Sequence, residues 1–460
     1  MRLHNVVTAS VAAFVHLLFI SPAHALDLKE AMERAKLYDT TFQAAFATYL
    51  ATIEAADQST SAVLPQLDFN AFAQRGRTEN DQSGNVTKSD NNATGYSLDL
   101  NQVIFNKTVF DNMDQGDAIA AKAVADLETA KQDVIVRTAQ AYFDVLSAIS
   151  TLDAATAQKE AIAKQLEQST ERFNVGLSAI TDVKEQQASY DVAVAEEIIA
   201  INDLSNKREA LQVIINMYPE DLKVVSEDLP LVVPEPMDMS AWQKKALDNN
   251  FSLLAATYSV EAAQSAYEGT KGGHYPSLAL NASYGVTDTD ERDFSGVTTI
   301  PQTESTDARV VLNLNVPIYS GGLVSSQSRQ KMSELNAARA LQEQQRRITN
   351  ALARSSYLTV EANIAQVKAR GKAVESTQTS LDATLAGYDA GTRTSVDVLL
   401  SQRQLYSSQR DYAVSRYTYL TNSLRLKQVA GILTIQDIEE INRWLVERTE
   451  PVGGFQERTY

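Results

Sequence analysis

Four segments of the chain alternate apolar and polar residues, the period of a β-strand that has one apolar face. They cover about residues 66–76, 94–105, 277–286 and 307–318. Ten-residue segments with this alternation are typical of the strands of a transmembrane β-barrel, so the sequence predicts two pairs of such strands. The polar stretches inside the pairs, 76–94 and 285–307, are predicted to be long loops.

Most of the remaining chain has the pattern of long helices. Proline, which ends or kinks a helix, is absent from residues 66–218 and 318–450. Between Lys107 and Phe173 apolar residues recur at steps of three and four, the spacing of a coiled coil. At about 1.5 Å per residue this helix is about 100 Å long, and residues 323–388 predict a second. Four shorter helices are expected to pack in pairs beside these two rods: Leu28–Ser61, Thr181–Asn216, Met239–Gly269 and Ser395–Val429.

A phrase between the long and shorter helices occurs twice. RFNVGLSAITDVKEQQASYD begins at Arg172 and GYDAGTRTSVDVLLSQRQLY begins at Gly387, 215 positions later. In each, a glycine (Gly176, Gly391) is predicted to end a helix in the left-handed conformation. Thr181 and Ser395 are expected to cap the following helices, and Asp182 and Asp397 to lie in their first turns, where the helix dipole favours a carboxylate. The chain is therefore predicted to be internally duplicated, with repeats at 26–236, including a linker, and at 237–460.

Four strands are too few for a barrel. An open sheet edge in lipid leaves N–H and C=O groups unpaired, and about eight strands is the practical minimum for closure. The sequence therefore predicts an oligomer that shares one barrel, with a copy number that the strands alone leave open. The predicted fold class is mixed: a long α-helical coiled-coil barrel plus four strands of a shared transmembrane β-barrel.

The first 25 residues predict a signal peptide. Arg2 precedes the apolar run 11–20, which is too short to span a bilayer, and Ala23-His24-Ala25 fits a cleavage site. Because Leu26 rather than cysteine follows, no lipoprotein anchor is expected.

Composition argues against several classes of function. The net charge of −17 disfavours nucleic-acid binding, and the absence of cysteine excludes disulfides and thiol chemistry. Only His274 remains once residues 1–25 are removed. No catalytic constellation, cofactor motif or metal cluster can be assembled, so neither an enzyme nor a cofactor protein is expected.

With these features together, the chain resembles the TolC family of outer-membrane efflux and secretion channels over essentially all of its length after residue 25. The most specific matches are residues 173–183 (FNVGLSAITDV) and 387–398 (GYDAGTRTSVDV). The resemblance implies a homotrimer, in which twelve strands form one barrel in the outer membrane and twelve helices form a tapering periplasmic tunnel. A mixed belt near the middle of the tunnel is expected at Tyr218–Trp242 and Thr434–Val446.

The function implied by the resemblance is the exit duct of a tripartite efflux pump, of a type I secretion system, or of both. Drugs, detergents or proteins are the implied cargo. The implied partners are a periplasmic adaptor (membrane fusion) protein, an inner-membrane pump of the RND, ABC or MFS type, and outer-membrane lipid. An exported coiled-coil surface or structural protein without channel activity is the alternative, but it gives the four strands no role.

The resemblance also assigns roles to individual residues near the two turns. Gate links between neighbouring coiled coils fall on Gln165, Thr181, Asp182, Asp382, Tyr388 and Arg393. Docking of the adaptor falls on Val175, Gly176, Leu177, Ser178, Ala390, Gly391 and Thr392. Asp397 matches a ring of carboxylates at the constriction, whose mutual repulsion is expected to raise their pKa values and attract cations. Leu400 stands where a second aspartate is expected, so one acidic ring is predicted instead of two.

Overall fold

A computed structural model of the chain describes residues 25–82, 85–293 and 303–448. The predicted signal peptide, except for Ala25, lies outside the described residues. The described part is mostly helical, and the order of elements in its first half recurs in its second. The first half contains α1 (Leu28–Tyr38), α2 (Thr40–Ser61), β1 (Gln66–Gln82), β2 (Asn85–Phe105), α3 (Lys107–Asn174) and α4 (Ile180–Ile215). The second contains β3 (Val224–Val225), α5 (Met239–Asn249), α6 (Phe251–Gly272), β4 (Ser277–Asp293), β5 (Thr303–Asn315), α7 (Leu323–Asp389), α8 (Ser395–Val429), α9 (Ile435–Asn442) and β6 (Leu445–Val446).

The two predicted long helices are confirmed. Helix α3 has 68 residues and α7 has 67, each without a break. Helix α3 packs against α2 and α4 of its own half and also against α6 and α8 of the second half, whereas α7 packs against α5, α6 and α8. No helix in the described ranges is both long and apolar enough to cross a lipid bilayer.

The helices predicted at 28–61 and 239–269 are each broken in two, so the prediction of single helices was wrong. Asp39 leaves the helical conformation between α1 and α2, and its carboxylate accepts the backbone N–H of Phe42 at 2.6 Å. Asn250 does the same between α5 and α6, where it accepts the N–H of Leu253 at 3.0 Å. Each break places a capping side chain at the start of a new helix, which satisfies N–H groups that the helix leaves unpaired.

The main apolar core surrounds the middle of α3. Tyr142 is fully buried there, and its hydroxyl donates to the carbonyls of Leu26 at 3.0 Å and Lys223 at 2.8 Å. The two segments expected to form the belt meet at this level, where β3 pairs with β6 in the antiparallel sense. The belt is therefore built on the centre of the long helix and fixes the N-terminal segment against it.

Close packing of α2 on α3 explains a glycine inside the long helix. A helical glycine is less favourable than alanine by about 1 kcal/mol. At Gly116, however, an added Cβ would lie 2.2 Å from Ser59 Oγ of α2. The missing side chain therefore allows the two helices to approach.

The other sheet has four antiparallel strands in the order β1-β2-β4-β5. Its strands are longer than expected, because β1 continues to Gln82 and β2 begins at Asn85, so the long loop expected at 76–94 is wrong. The second loop was expected at 285–307, but residues 285–293 continue β4 and residues 303–307 belong to β5, so the expectation was wrong there as well. Residues 294–302 lie outside the described residues. The apolar side chains of the sheet stay uncovered in the single chain, with Phe69 at 68% and Leu312 at 61% exposure. The outer edges of β1 and β5 have no partner strand within the described sheet.

Candidate functional site

The two repeated phrases form the turns of two helical hairpins. The first hairpin is α3–α4 and the second hairpin is α7–α8. Gly176 and Gly391 adopt φ of 78° and 75°, which confirms the predicted left-handed positions. In the first turn the N–H of Leu177 donates to Arg172 O at 2.7 Å, and in the second Thr392 donates to Gly387 O at 2.8 Å. Both helices therefore end in the same glycine motif, which satisfies carbonyls that would otherwise lack partners.

The helices that follow the turns start differently, and neither predicted cap is correct. Thr394, one residue before Ser395, caps α8: its Oγ1 accepts the N–H of Asp397 at 3.3 Å, and Asp397 Oδ2 accepts the N–H of Thr394 at 2.8 Å. Ala179 occupies the same position before α4 and has no side chain that can cap, while Thr181 lies inside the helix. Only the second hairpin therefore has a reciprocal capping box.

The capping box sets the charge state of Asp397. The backbone N–H of Thr394, followed by its hydroxyl, holds the pKa of Asp397 below its ordinary value. Within one chain this is opposite in sign to the rise expected from a crowded ring. Because the pKa is lowered on folding, the carboxylate's contribution to the cap is present above the ordinary aspartate pKa and is lost as the pH falls through the lowered value. Asp397 is thus an anion at neutral pH.

Tyr388 joins the two hairpins through a residue that the sequence did not single out. Arg172 Nη1 donates to Tyr388 Oη at 2.7 Å, and the guanidinium carbon lies 5.4 Å from the centre of the tyrosine ring. The hydrogen bond and the cation–π contact both connect the end of α3 to the end of α7. The repeated phrase could have drawn attention to Arg172, because the two copies differ at this position: the residue 215 positions later is Gly387, which has no side chain. A Cβ at Gly387 would lie 2.8 Å from Arg393 Cγ, so the second turn carries its arginine at a different place.

The other predicted gate residues are not linked to Tyr388 within the chain. Gln165 is buried with its Nε2 unpaired, and Asp382 accepts from Gln378 of its own helix at 2.9 Å. In the part of the chain that the structure describes, the side chains of Thr181, Asp182 and Arg393 make no hydrogen bond within the chain. The predicted links between neighbouring coiled coils stay predictions.

The predicted docking residues form two chemically different tips. Val175 and Leu177 of the first turn are 68% and 72% exposed, although both are apolar. In the second turn the Thr392 hydroxyl is bonded to Gly387 O at 3.0 Å and Arg393 is exposed. Ser178 Oγ donates to Ser169 O at 3.3 Å, which closes the first turn. The first tip therefore presents an apolar surface and the second tip a polar, cationic one.

The similarity to known proteins extends along most of the chain. A family model described as outer membrane efflux protein matches residues 31–217 and 242–432. The outer membrane protein TolC of Escherichia coli is 37% identical over 435 residues, covering 93% of this chain and 86% of TolC. The alkaline protease secretion protein AprF of Pseudomonas aeruginosa is 28% identical, covering 95% of this chain and 91% of AprF. Among solved structures, the Campylobacter jejuni CmeC outer membrane channel superposes with a TM-score of 0.74 at 16% identity, covering 91% of this chain and 90% of CmeC.

The unequal caps predict unequal stability of the two first helical turns. Thr394→Ala should weaken the start of α8 by about 1 kcal/mol, which corresponds to about fivefold faster amide exchange there. Ala179→Thr places a hydroxyl three residues before Asp182 and should slow exchange at the start of α4. Hydrogen–deuterium exchange of peptides from both turns measures this, with the unaltered turn of each variant as its internal control. Unchanged exchange at α4 in Ala179→Thr would show that the cap does not limit that turn.

Proposed function

The chain belongs to the outer membrane efflux protein family and is an outer-membrane duct for efflux or secretion, and we propose that three copies form it with one shared β-barrel and one periplasmic tunnel. The observation that carries the shared barrel is the sheet β1-β2-β4-β5, which leaves two open edges and an uncovered apolar face, while the number of copies is taken from the family. In lipid each unpaired backbone group costs several kcal/mol, so β5 of one copy pairs with β1 of the next. Three copies supply twelve strands, above the minimum of about eight.

The helices beside the open edges support this arrangement. Helix α2 leads into β1, and its Phe46 and Leu50 are exposed. Helix α7 follows β5, and Leu341, Ile348 and Leu352 lie exposed along it. When the edges pair, α7 of one copy lies beside α2 of the next, and these apolar residues become buried between copies. The halves 26–236 and 237–460 then act as two structural repeats, which place six hairpins around the tunnel entrance.

The partners and cargo follow from the family. We assign the duct a periplasmic adaptor at the hairpin tips and an inner-membrane pump behind it, of the RND, ABC or MFS type. The family model, described as outer membrane efflux protein, supports an efflux role, and AprF, named for alkaline protease secretion, supports secretion of proteins, which we assign to a type I system. The family consists of channel proteins, and we assign the chain no catalytic activity. A coiled-coil surface protein without a channel is not favoured, because it gives the sheet no function.

The gate is proposed to lie at the tips, where Tyr388 and Arg393 tie the second hairpin to its neighbours. Within a copy, Tyr388 is held by Arg172. Between copies, the exposed Arg393 is free to reach Thr181 and Asp182, with Gln165 and Asp382 adding further links. Each link is a near-surface hydrogen bond or ion pair worth about 0.5–1 kcal/mol, so adaptor binding is able to break them.

Loss of a gate link should favour the open duct. Purified protein in planar lipid bilayers is expected to conduct ions, and Tyr388→Phe or Arg393→Ser should raise its single-channel conductance. The matched control is Tyr412→Phe, because the Tyr412 ring also contacts an arginine, Arg416, but lies on α8 far from the turn. Wild-type conductance in both tip variants would refute the gate assignment, and a wild type that forms no channel would refute the duct itself.

Asp397 should make the channel prefer cations, because three copies bring three anionic carboxylates to the constriction. Asp397→Asn retains an oxygen for the cap on α8 but removes the charge. We expect its reversal potential in a salt gradient to move towards that of a non-selective pore, while Asp203→Asn, an exposed change on α4, leaves it in place. Equal reversal potentials for wild type and Asp397→Asn would remove Asp397 from the selectivity filter.

The first tip should be required for adaptor docking. Gly176→Trp adds bulk at a position where a Cβ has no neighbour within 4 Å, so the folded hairpin has room for it although its φ is strained. We expect trimers in the outer membrane but loss of cellular resistance to drugs and detergents. Gly321→Trp is the matched control, because Gly321 also has positive φ and open surroundings but lies next to the sheet. Normal resistance in Gly176→Trp, or equal loss in both variants, would contradict docking at this tip.

A further inference from the structure

A groove separates the two hairpins on the side of their glycine turns that faces the sheet. We call the end of the groove nearer to the turns its lower end and the opposite end its upper end. Its cavity has a volume of about 480 Å³ and is lined by residues of α3, α4 and α8. Ile162 and Val192 contribute apolar side chains from the first hairpin, and Val396, Leu399 and Leu400 contribute them from the second. A space of this size between apolar faces means that the faces do not interdigitate there, so packing holds this seam only weakly.

Polar links close the lower end of the groove. Gln186, fully buried on α4, donates from Nε2 to Ser395 Oγ at 3.3 Å. The contact of Arg172 with Tyr388 lies at the same end of the second hairpin. The first link reaches the first turn of α8 and the second reaches the last turn of α7. Both links therefore lie at the level of the gate that is already described.

A separate set of links closes the upper end. Glu196 of α4 accepts from Arg403 Nη2 of α8 at 3.3 Å through Oε1, and from Gln158 Nε2 of α3 at 3.0 Å through Oε2. One carboxylate therefore bridges three helices of two hairpins. Arg403 follows Ser395 by eight residues, which places it about 12 Å further along α8. We call Gln158, Glu196 and Arg403 the upper latch.

We propose that the upper latch is a second closing device of the duct, which holds the second hairpin against the first within each copy. This proposal rests on the proposed gating function. It adds a second position of contact between the hairpins, further from the turns, which neither the repeated phrase nor the predicted gate residues indicate. Gln158 is buried and fixes the Glu196 carboxylate, so the carboxylate is positioned before Arg403 reaches it. Leu400, at the place where a second constriction carboxylate was expected, lines the groove between the two levels.

The exposure of the latch suits a device that must open. The Arg403 and Glu196 side chains are 54% and 44% exposed, and exposed ion pairs are weak and screened by salt. Other ion pairs in the same region stay within one hairpin: Lys159 with Glu197 joins α3 to α4, and Arg370 with Asp411 joins α7 to α8. Each hairpin is thus tied internally, and among the described residues the latch is the ion pair that a separation of the hairpins breaks.

Single-channel recording of trimers in planar bilayers tests the latch. Glu196→Gln and Arg403→Gln should each raise the ratio of open to closed dwell time by about tenfold, because each of the three copies loses one link worth about twofold, and the increase should shrink between about 0.1 and 1 M KCl. The charge-reversed double variant Glu196→Arg with Arg403→Glu restores the pair and should return the ratio towards the wild-type value. Lys372→Gln is the control, because its partner Glu375 lies on the same helix and is also exposed.

The double variant separates a latch from a local folding effect. Single variants that gate like wild type, an effect that salt does not change, or a double variant no closer to wild type than the singles would each overturn the proposal. Oligomer stability on gels confirms that each variant is assembled before it is recorded. If wild type conducts and Tyr388→Phe opens it while the latch variants do nothing, the latch fails and the duct stands; a wild type that does not conduct removes both.

Discussion

In the proposed barrel, the need to pair every backbone N–H and C=O group inside lipid governs how the copies join. A sheet of four strands has two edges that no residue of the described sheet covers, and its apolar side chains point away from any core. In the proposed assembly, pairing of β5 with β1 of another copy removes both edges at once. That closure would also fix the order of the helices around the axis, because each helix that adjoins an edge strand would lie beside its counterpart on the next copy. The proposed tunnel would thus be a consequence of the proposed barrel.

The two hairpins share a turn but not the chemistry around it. Gly176 and Gly391 end their helices in the same motif, since only a residue with low cost at positive φ fits there. Around the turns, however, the capping box, the arginine positions and the exposed apolar residues all differ. The first hairpin has an uncapped helix start and an apolar tip, which favours contact with another protein. The second has a fixed, anionic helix start, which favours a constant geometry at a constriction.

Elements with strong periodicity were predictable from sequence, whereas their joints and cross-contacts were not. Unbroken α3 and α7 follow from proline-free coiled-coil spacing over nearly seventy residues. The strands were underestimated because apolar and polar residues alternate over only part of each strand. Strand pairing continues through polar residues such as Arg77 and Asp90, which pair across the sheet.

The joints between elements were harder to predict. Asp39 and Asn250 are good capping residues, but the helical pattern on both sides of each outweighed that indication. The caps were misplaced by one or two residues, since the length of the glycine turn decides where the next helix begins. Arg172 and Tyr388 are 216 positions apart, and no local pattern relates them.

Weak contacts at the tips are a requirement of switching. A partner that shifts a channel from almost entirely closed to almost entirely open must bind the open state about 5.5 kcal/mol more tightly than the closed state. Three links of about 0.5 kcal/mol in each copy, through Tyr388, Ser395 and Arg403, give about 4–5 kcal/mol over three copies. In the proposed gate, that sum keeps most ducts closed and stays below the differential binding that switches the equilibrium. Breaking a fully buried ion pair costs about 3–5 kcal/mol, so one such pair in each copy would exceed that differential binding. A purely apolar seam would lose the sensitivity to charge and salt. The groove and the half-exposed latch therefore fit a tunnel that is closed by the sum of its links, each of which contributes only a small part.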